Sequence, residues 1–162
     1  FYAAKCVDGK IAQTRITQIL LDGGADINIE SHDGTTPISQ AAKARNFNLV
    51  YMYCKKNAAV RSNKAAYTLL KSAVESGDTG FLKYICSKIN PKIKSENNET
   101  LLFSCPLSPD NAALLIKAGV DPNELNNNGM NCLFDDNYLD TFEVLLKAGA
   151  NPNVHDKTGK RR

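Results

Sequence analysis

LLDGGADIN at residues 20–28 returns as LIKAGVDPN at 115–123 and as LLKAGANPN at 145–153. Each copy runs an apolar helix end into a glycine turn and then an Asx-rich loop, and recurrence at fixed spacing means stacked copies of one small unit. A second, offset series agrees: Thr36, Thr68 and Thr100 recur at 32-residue intervals and Asn131 follows 31 later. Gly119 to Gly149 and Gly129 to Gly159 are each 30 residues apart. Two independent registers therefore give one period.

The second copy is the clearest, reading GTTPISQAA at 34–42, then Leu49, Val50, Tyr53 and Cys54, then NAAV at 57–60. The Thr36 hydroxyl can cap a helix, and Pro37 suits the first helical position because its missing N–H would be orphaned there anyway. Ala41 and Ala42 let a neighbouring helix approach, and positions 49, 50, 53 and 54 share one face of the next helix. Equivalent faces are Ile16, Leu20 and Leu21; Phe81, Leu82, Ile85 and Cys86; and Phe142, Leu145 and Leu146. The unit is helix, turn, helix, and each face needs a neighbour to cover it.

On these residues the sequence resembles the ankyrin repeat family, whose Gly, Thr-Pro-Leu-His-like turn and Ala-Ala pair the second copy approximates. The expected architecture is all-α, an ankyrin-like helix-turn-helix solenoid with short hairpin loops and about five stacked repeats. One ankyrin-repeat domain is expected over 1–162, with repeats at about 1–30, 31–62, 63–94, 95–125 and 126–155, and a further start at 156–162. Beginning on Phe1 and ending on an unfinished repeat, the chain reads as a piece of a longer one.

Departures from the family pattern carry information. The family histidine after Thr-Pro-Leu is replaced by Ser39, Lys71, Phe103 and Phe134, so looser joints between repeats are expected. The third copy reads TLL from Thr68, the fourth TLL from Thr100 and the fifth NCL from Asn131. Pro106 and Pro109 fall where the fourth copy's first helix should continue, and an interior proline costs a helix about 3 kcal/mol or more. That helix should be short. Asp135, Asp136 and Asn137 replace the Ala-Ala pair in the fifth copy, so the C-terminal half should be irregular and locally less stable. About five extra residues around Val7 to Ala12 predict a longer loop at Asp8-Gly9 in the first copy.

A net charge of +3 over 162 residues, with no basic-aromatic stripe, argues against nucleic acid. No apolar run approaches the roughly 20 residues that cross a bilayer, and no membrane insertion is expected. The five cysteines, Cys6, Cys54, Cys86, Cys105 and Cys132, make no CxxC pair and no zinc spacing; Cys54 and Cys86 read as small buried hydrophobes in a reducing, cytoplasmic compartment. The sequon at Asn98-Glu99-Thr100 is discounted, because Thr100 is expected to cap a helix. Abundant asparagine and lysine, 17 and 15 residues, have adenine-rich codons and hint at an AT-rich genome, such as that of an intracellular bacterium or large DNA virus, which would put the protein in a host cytoplasm.

No phosphate loop, HExxH or GxSxG is present, and the two histidines, His32 and His155, fall in inter-repeat loops. Asp135, Asp136, Asp140 and Glu143 are the densest acidic group but lack the alternating ligands and glycine of a calcium loop. The expectation is no enzyme activity, no cofactor and no metal, in a monomeric module that binds another protein as scaffold or adaptor. Targeting for a larger enzyme, a pathogen or viral effector role, and inhibition by occlusion are the alternatives.

The resemblance implies partner contacts just before the Thr turn and near the end of the first helix. In this sequence those positions are His32, Asp33, Thr35, Lys43 and Arg45 in the second copy, and Lys64, Ala65, Tyr67, Glu75 and Ser76 in the third. The row continues through Glu96, Asn97 and Glu99, then Asn127, Asn128 and Met130. Tyr67 is expected at its centre, as an exposed aromatic that combines area with a hydroxyl.

Overall fold

The computed structural model describes residues 9–32, 35–104, 106–134 and 139–159. Among them every regular element is helical: α1 (Lys10–Asp22), α2 (Pro37–Lys43), α3 (Phe47–Lys55), α4 (Asn63–Glu75), α5 (Thr79–Cys86), α6 (Pro109–Lys117) and α7 (Leu139–Lys147). Two 3-10 turns, Leu101–Phe103 and Cys132–Phe134, complete the order. The all-helical ankyrin-like architecture is the one the repeats predict. The chain divides into two compact units, residues 1–72 and 73–162, with the division inside α4.

In the first unit, α2 starts where its sequence demands. Thr36 Oγ1 accepts from the Ser39 amide at 3.4 Å, and Ser39 Oγ accepts from the Thr36 amide at 2.9 Å. With Pro37 in the first turn, this reciprocal box satisfies two amides that would otherwise have no helical partner. Ser39, standing where the family pattern has histidine, thus closes the helix start itself. Asn46 caps α3 through Leu49 N, and α3 packs against both α2 and α1 with Leu49, Val50, Tyr53 and Cys54 buried, as expected.

Three expectations fail in this unit. Residues 10–12 belong to α1, not to a lengthened loop; residues 7 and 8 lie outside the described residues. The apolar face of α1 is also misplaced: Gln13 and Thr17 are buried, while Ile16 is 51% and Leu20 46% exposed. Gln13 is drawn inward because its Oε1 accepts from Asn46 Nδ2 at 2.7 Å, a buried side-chain pair that outranks apolar periodicity. Finally, Thr68 does not start a helix. It sits mid-α4 with its hydroxyl donating to Lys64 O at 2.8 Å, and the start belongs to Ser62, whose Oγ accepts from Ala65 N at 3.1 Å.

In the second unit, α5 packs on α6 and α6 on α7. Leu82, Ile85, Leu115 and Leu145 have no exposed surface and form the heart of the apolar layer. Leu146, expected in it, is 47% exposed, because Leu145 already takes the inward position at that turn. The fourth copy's first helix is reduced to Leu101–Phe103, where Thr100 precedes the turn without a side-chain cap bond, contrary to the capping role expected of it. In the fifth the described residues hold Cys132–Phe134, with Asn131 Oδ1 accepting from Leu133 N; residues 135–137 lie outside the described residues. Glycan addition at the sequon is opposed on other grounds. Asn98 Nδ2 donates to Leu125 O at 2.9 Å and Thr100 is buried.

Backbone chemistry explains the recurring phrase. After α1, α3, α6 and α7 the chain makes the same paired C-terminal bonds, for example Val120 N to Leu115 O and Gly119 N to Ile116 O. That geometry needs a left-handed residue, and Gly119 has φ 86°; a Cβ there would also meet Lys92 Cε at 2.8 Å. Asp26, Asp121 and Asn151 then each accept from the amide two residues on, at 2.8, 2.8 and 2.9 Å. The following asparagine reaches the next repeat: Asn28 Oδ1 accepts from Ala59 N at 2.6 Å, and Asn123 Oδ1 from Asn151 N at 2.7 Å.

Buried polar side chains stitch repeats a second time. Asn111 Nδ2 donates to Val74 O at 3.1 Å and Thr141 Oγ1 to Leu107 O at 2.7 Å, both fully buried. Thr141→Val preserves shape but strands the Leu107 carbonyl, so urea denaturation should show stability lower by about 1–3 kcal/mol. Thr158→Val, at an exposed turn, should change it by less than about 0.5 kcal/mol. Native-state hydrogen exchange should be faster at the 3-10 turn amides of residues 101–104 than at α2 residues 40–43, because a truncated helix weakens nearest-neighbour coupling.

Candidate functional site

Within the first unit, Thr35, α2 and the start of α4 enclose an open groove of about 620 Å³. Ser31 N donates to Thr35 O at 3.0 Å, which holds Thr35 beside the start of α2. Thr35, Thr36 and Ser39 form one wall, and Ser62, Ala65 and Thr68 the other. Lys43, Arg61 and Lys64 stand at its margins with Glu30, the one carboxylate lining it among the described residues. Arg61 Nη1 lies 3.4 Å from Glu30 Oε1, with side chains 63% and 40% exposed, so water screens this pair and it is worth at most about 1 kcal/mol.

Of the residues the sequence singles out, Thr35, Lys43, Lys64 and Ala65 come together in this groove. His32 and Arg45 are exposed in the same unit but outside its lining, and Asp33 lies outside the described residues. Tyr67 corrects the expectation. It is only 8% exposed, since α4 begins at Asn63 and turns that position inward, so it offers a partner almost no area. Thr35 is also buried, at 7% exposure, and contributes an edge instead of a protruding side chain.

The remaining positions belong to the second unit. Glu75 is half-buried, and Ser76 is engaged in the turn after α4, donating to Ala73 O at 2.7 Å. Glu96 and Asn97 are exposed, and Glu99 accepts from Ser95 Oγ at 3.3 Å. Asn127 N donates to Asn97 O at 2.9 Å, which ties successive loop tips together; Asn128 is exposed beside it and Met130 half-buried. Glu30, Thr36, Ser39, Arg61, Ser62 and Thr68 were missed as groove residues. The signal that could have found Arg61 and Ser62 is Ser62 followed by Asn-Lys-Ala-Ala, a cap before helix-forming residues, which moves the third repeat's pre-helix position to Arg61.

No cluster of His, Cys, Asp and Glu among the described residues has the arrangement to hold a metal ion. Among the same residues no helix is long and apolar enough to cross a membrane. Shifted pKa values lie away from the groove. Gln18 and Lys56 hold the Asp22 carboxyl below its usual value, Lys147 does the same for Glu143, and burial raises Tyr53. Cys54, Cys86 and Cys132 are free thiols.

A family model of ankyrin repeats in three copies matches residues 1–97. The chain belongs to the ankyrin repeat family. Solved structures agree on the fold across its whole length. An ankyrin repeat domain from Acinetobacter baumannii AYE is 24% identical, with a TM-score of 0.70 covering 97% of this chain and 85% of that one. A chain in the structure of predatory endopeptidase Bd0816 from Bdellovibrio bacteriovorus with immunity protein Bd3460 is 21% identical, with a TM-score of 0.71, covering 99% and 86%. The human ASB11 ankyrin repeat domain is 17% identical, with a TM-score of 0.73 over 98% and 73%. No curated protein matches this sequence.

Burial pushes the Cys86 thiol up to about 11, so little thiolate exists near pH 8. Alkylation by iodoacetamide at pH 8, followed residue by residue with mass spectrometry, should be at least about tenfold slower at Cys86 in the folded protein than after urea unfolding. The rate should climb as pH rises toward 11.

Proposed function

We infer that this ankyrin protein is a non-catalytic binding module, a scaffold or adaptor that takes a partner protein against the α2 and α4 side of its first unit. One observation carries the reading: Thr35, Lys43, Lys64 and Ala65, separated by up to 30 residues in sequence, line one groove together with Arg61 and Ser62. A capped helix on each wall fixes that surface before a partner arrives, and a fixed surface loses less entropy on association. The complex of endopeptidase and immunity protein that contains a similar chain is in keeping with such a role.

Chemistry has no support here. Among the described residues the groove is lined by hydroxyls, cations, Ala65 and the ion-paired Glu30, with no histidine or cysteine to act as base or nucleophile. Free Cys54, Cys86 and Cys132 favour a reducing, cytoplasmic setting. We read the module as a monomer that works through the groove and the adjoining exposed residues His32 and Arg45, with the loop residues Glu96, Asn97, Asn128 and Met130 as a further contact region.

The test begins with affinity capture by the intact chain, identification of the partner, and titration calorimetry of the purified pair. Ala65→Arg, which fills the groove, should weaken a 1:1 complex by about 2 kcal/mol or more, as expected for loss of a packed interface centre. Lys83→Ala on α5 should be nearly silent. Cross-links confined to the α5 and α7 surfaces, with Ala65→Arg folded and binding normally, would overturn the assignment.

A further inference from the structure

The loop tip that opens the fifth repeat holds the one Asn-Gly pair in the chain, Asn128-Gly129. Asn126 N donates to Met130 O at 2.9 Å and Gly129 N to Asn126 O at 3.0 Å, which folds these residues into a tight turn with Gly129 at φ 79°. The fourth repeat opens with the same turn. Ser95 N donates to Glu99 O and Asn98 N to Ser95 O, both at 2.9 Å, and Asn98 takes the left-handed place at φ 63°. Asn97 and Asn128 are both exposed, and their carbonyls do the same work. Asn97 O accepts from Asn127 N at 2.9 Å and Asn128 O from Lys157 N at 3.0 Å, each tying one loop tip to the next. The two turns differ at the residue after the exposed asparagine, which is glycine in one and carries a side chain in the other.

We propose that Asn128 is a site of spontaneous deamidation, and that its isoaspartate product weakens the joint between this tip and the segment that follows. The Gly129 amide gives its proton to hydroxide, and its nitrogen attacks Asn128 Cγ. The Cγ–Nδ2 bond breaks and ammonia leaves with a proton from water, which restores the hydroxide and gives a cyclic imide. Water opens the ring at Cγ to give aspartate, or at the α-carbonyl to give isoaspartate. The net change consumes one water and turns an amide into a carboxylate. Glycine permits the closure because no Cβ crowds the attacking nitrogen and its backbone turns freely, whereas at Asn97 the Asn98 side chain stands in the way. In the folded turn the Gly129 N–H is held by Asn126 O, so the reaction proceeds through local opening, which costs little at an exposed tip. Isoaspartate routes the main chain through Cβ and Cγ, one CH₂ longer, and makes the α-carbonyl a free carboxylate. The Lys157 amide is bonded to that very carbonyl, so the product disturbs its docking on the tip. This chemistry does not depend on the protein-binding reading above.

The full chain is incubated in mildly alkaline buffer, and peptide mapping by mass spectrometry follows the conversion of each asparagine, with isoaspartate separated from aspartate by chromatography. Asn128 is expected to convert at least about tenfold faster than Asn97, and faster still as pH rises. Exchanging the residues that follow them tests the cause. Gly129→Asn should slow conversion of Asn128 at least about tenfold, and Asn98→Gly should speed that of Asn97 by as much. Asparagine and glycine both tolerate the left-handed backbone, and a Cβ on Gly129 would meet nothing closer than 3.6 Å, so both variants keep the turn. In the purified isoaspartate form the Lys157 amide should exchange with deuterium at least about tenfold faster than in the fresh chain, while the Val120 amide is unchanged. Equal rates at Asn97 and Asn128, a Gly129→Asn or Asn98→Gly chain that reacts like the parent, or a Lys157 amide indifferent to the conversion would each overturn the proposal.

Discussion

A helix-turn-helix unit of about thirty residues has more apolar surface than it can cover by itself, and everything else in this molecule answers that constraint. Leu49 and Val50 of α3 are sealed between α2 on one side and α1 on the other. In the second unit Leu115 of α6 occupies the same situation, with α5 and α7 as neighbours. Coverage by a neighbour is non-directional, however, and would tolerate sliding. The buried polar bonds remove that freedom. Asn46 to Gln13, Asn111 to Val74 and Thr141 to Leu107 each join one repeat to the one before it, and each fails if the helices shift by even part of a turn.

The groove inherits its rigidity from these same devices. The reciprocal box of Thr36 and Ser39 fixes the start of α2, and Ser62 fixes that of α4, so the two walls are defined by local chemistry. Asn28 bridging to Ala59 then sets the distance between the loops that lead into them. Electrostatics acts last, on a frame already in place, with the cations placed at exposed margins where holding them costs little desolvation.

Much of the fold was legible in the sequence because its signals are local. Gly24, Gly119 and Gly149 mark left-handed helix ends, and the Asx residues that follow mark turns, with no reference to distant parts of the chain. The errors arose where a distant partner decided the outcome. Gln13 is buried because Asn46 lies 33 residues away to receive it, and Ile16 is exposed in consequence. Thr68 matched the period of Thr36 and Thr100, yet Ser62 captured the helix start and rotated Tyr67 into the interior. That shift of register also explains why part of the groove was found and Arg61 was not. Lys43 and Lys64 could be placed from the family pattern, whereas Arg61 required the true beginning of α4.

The shrunken inner helix of the fourth copy shows where such a protein is free to change. Leu101–Phe103 is a single turn, yet its repeat keeps its spacing because the bond that sets it, Asn127 to Asn97, comes from segments flanking the lost helix. The scaffold and the variable surface are thus encoded by different stretches of chain. Mutation can erode, lengthen or recharge an inner helix while the loops and outer helices hold register, so new specificities can arise without the fold being invented again.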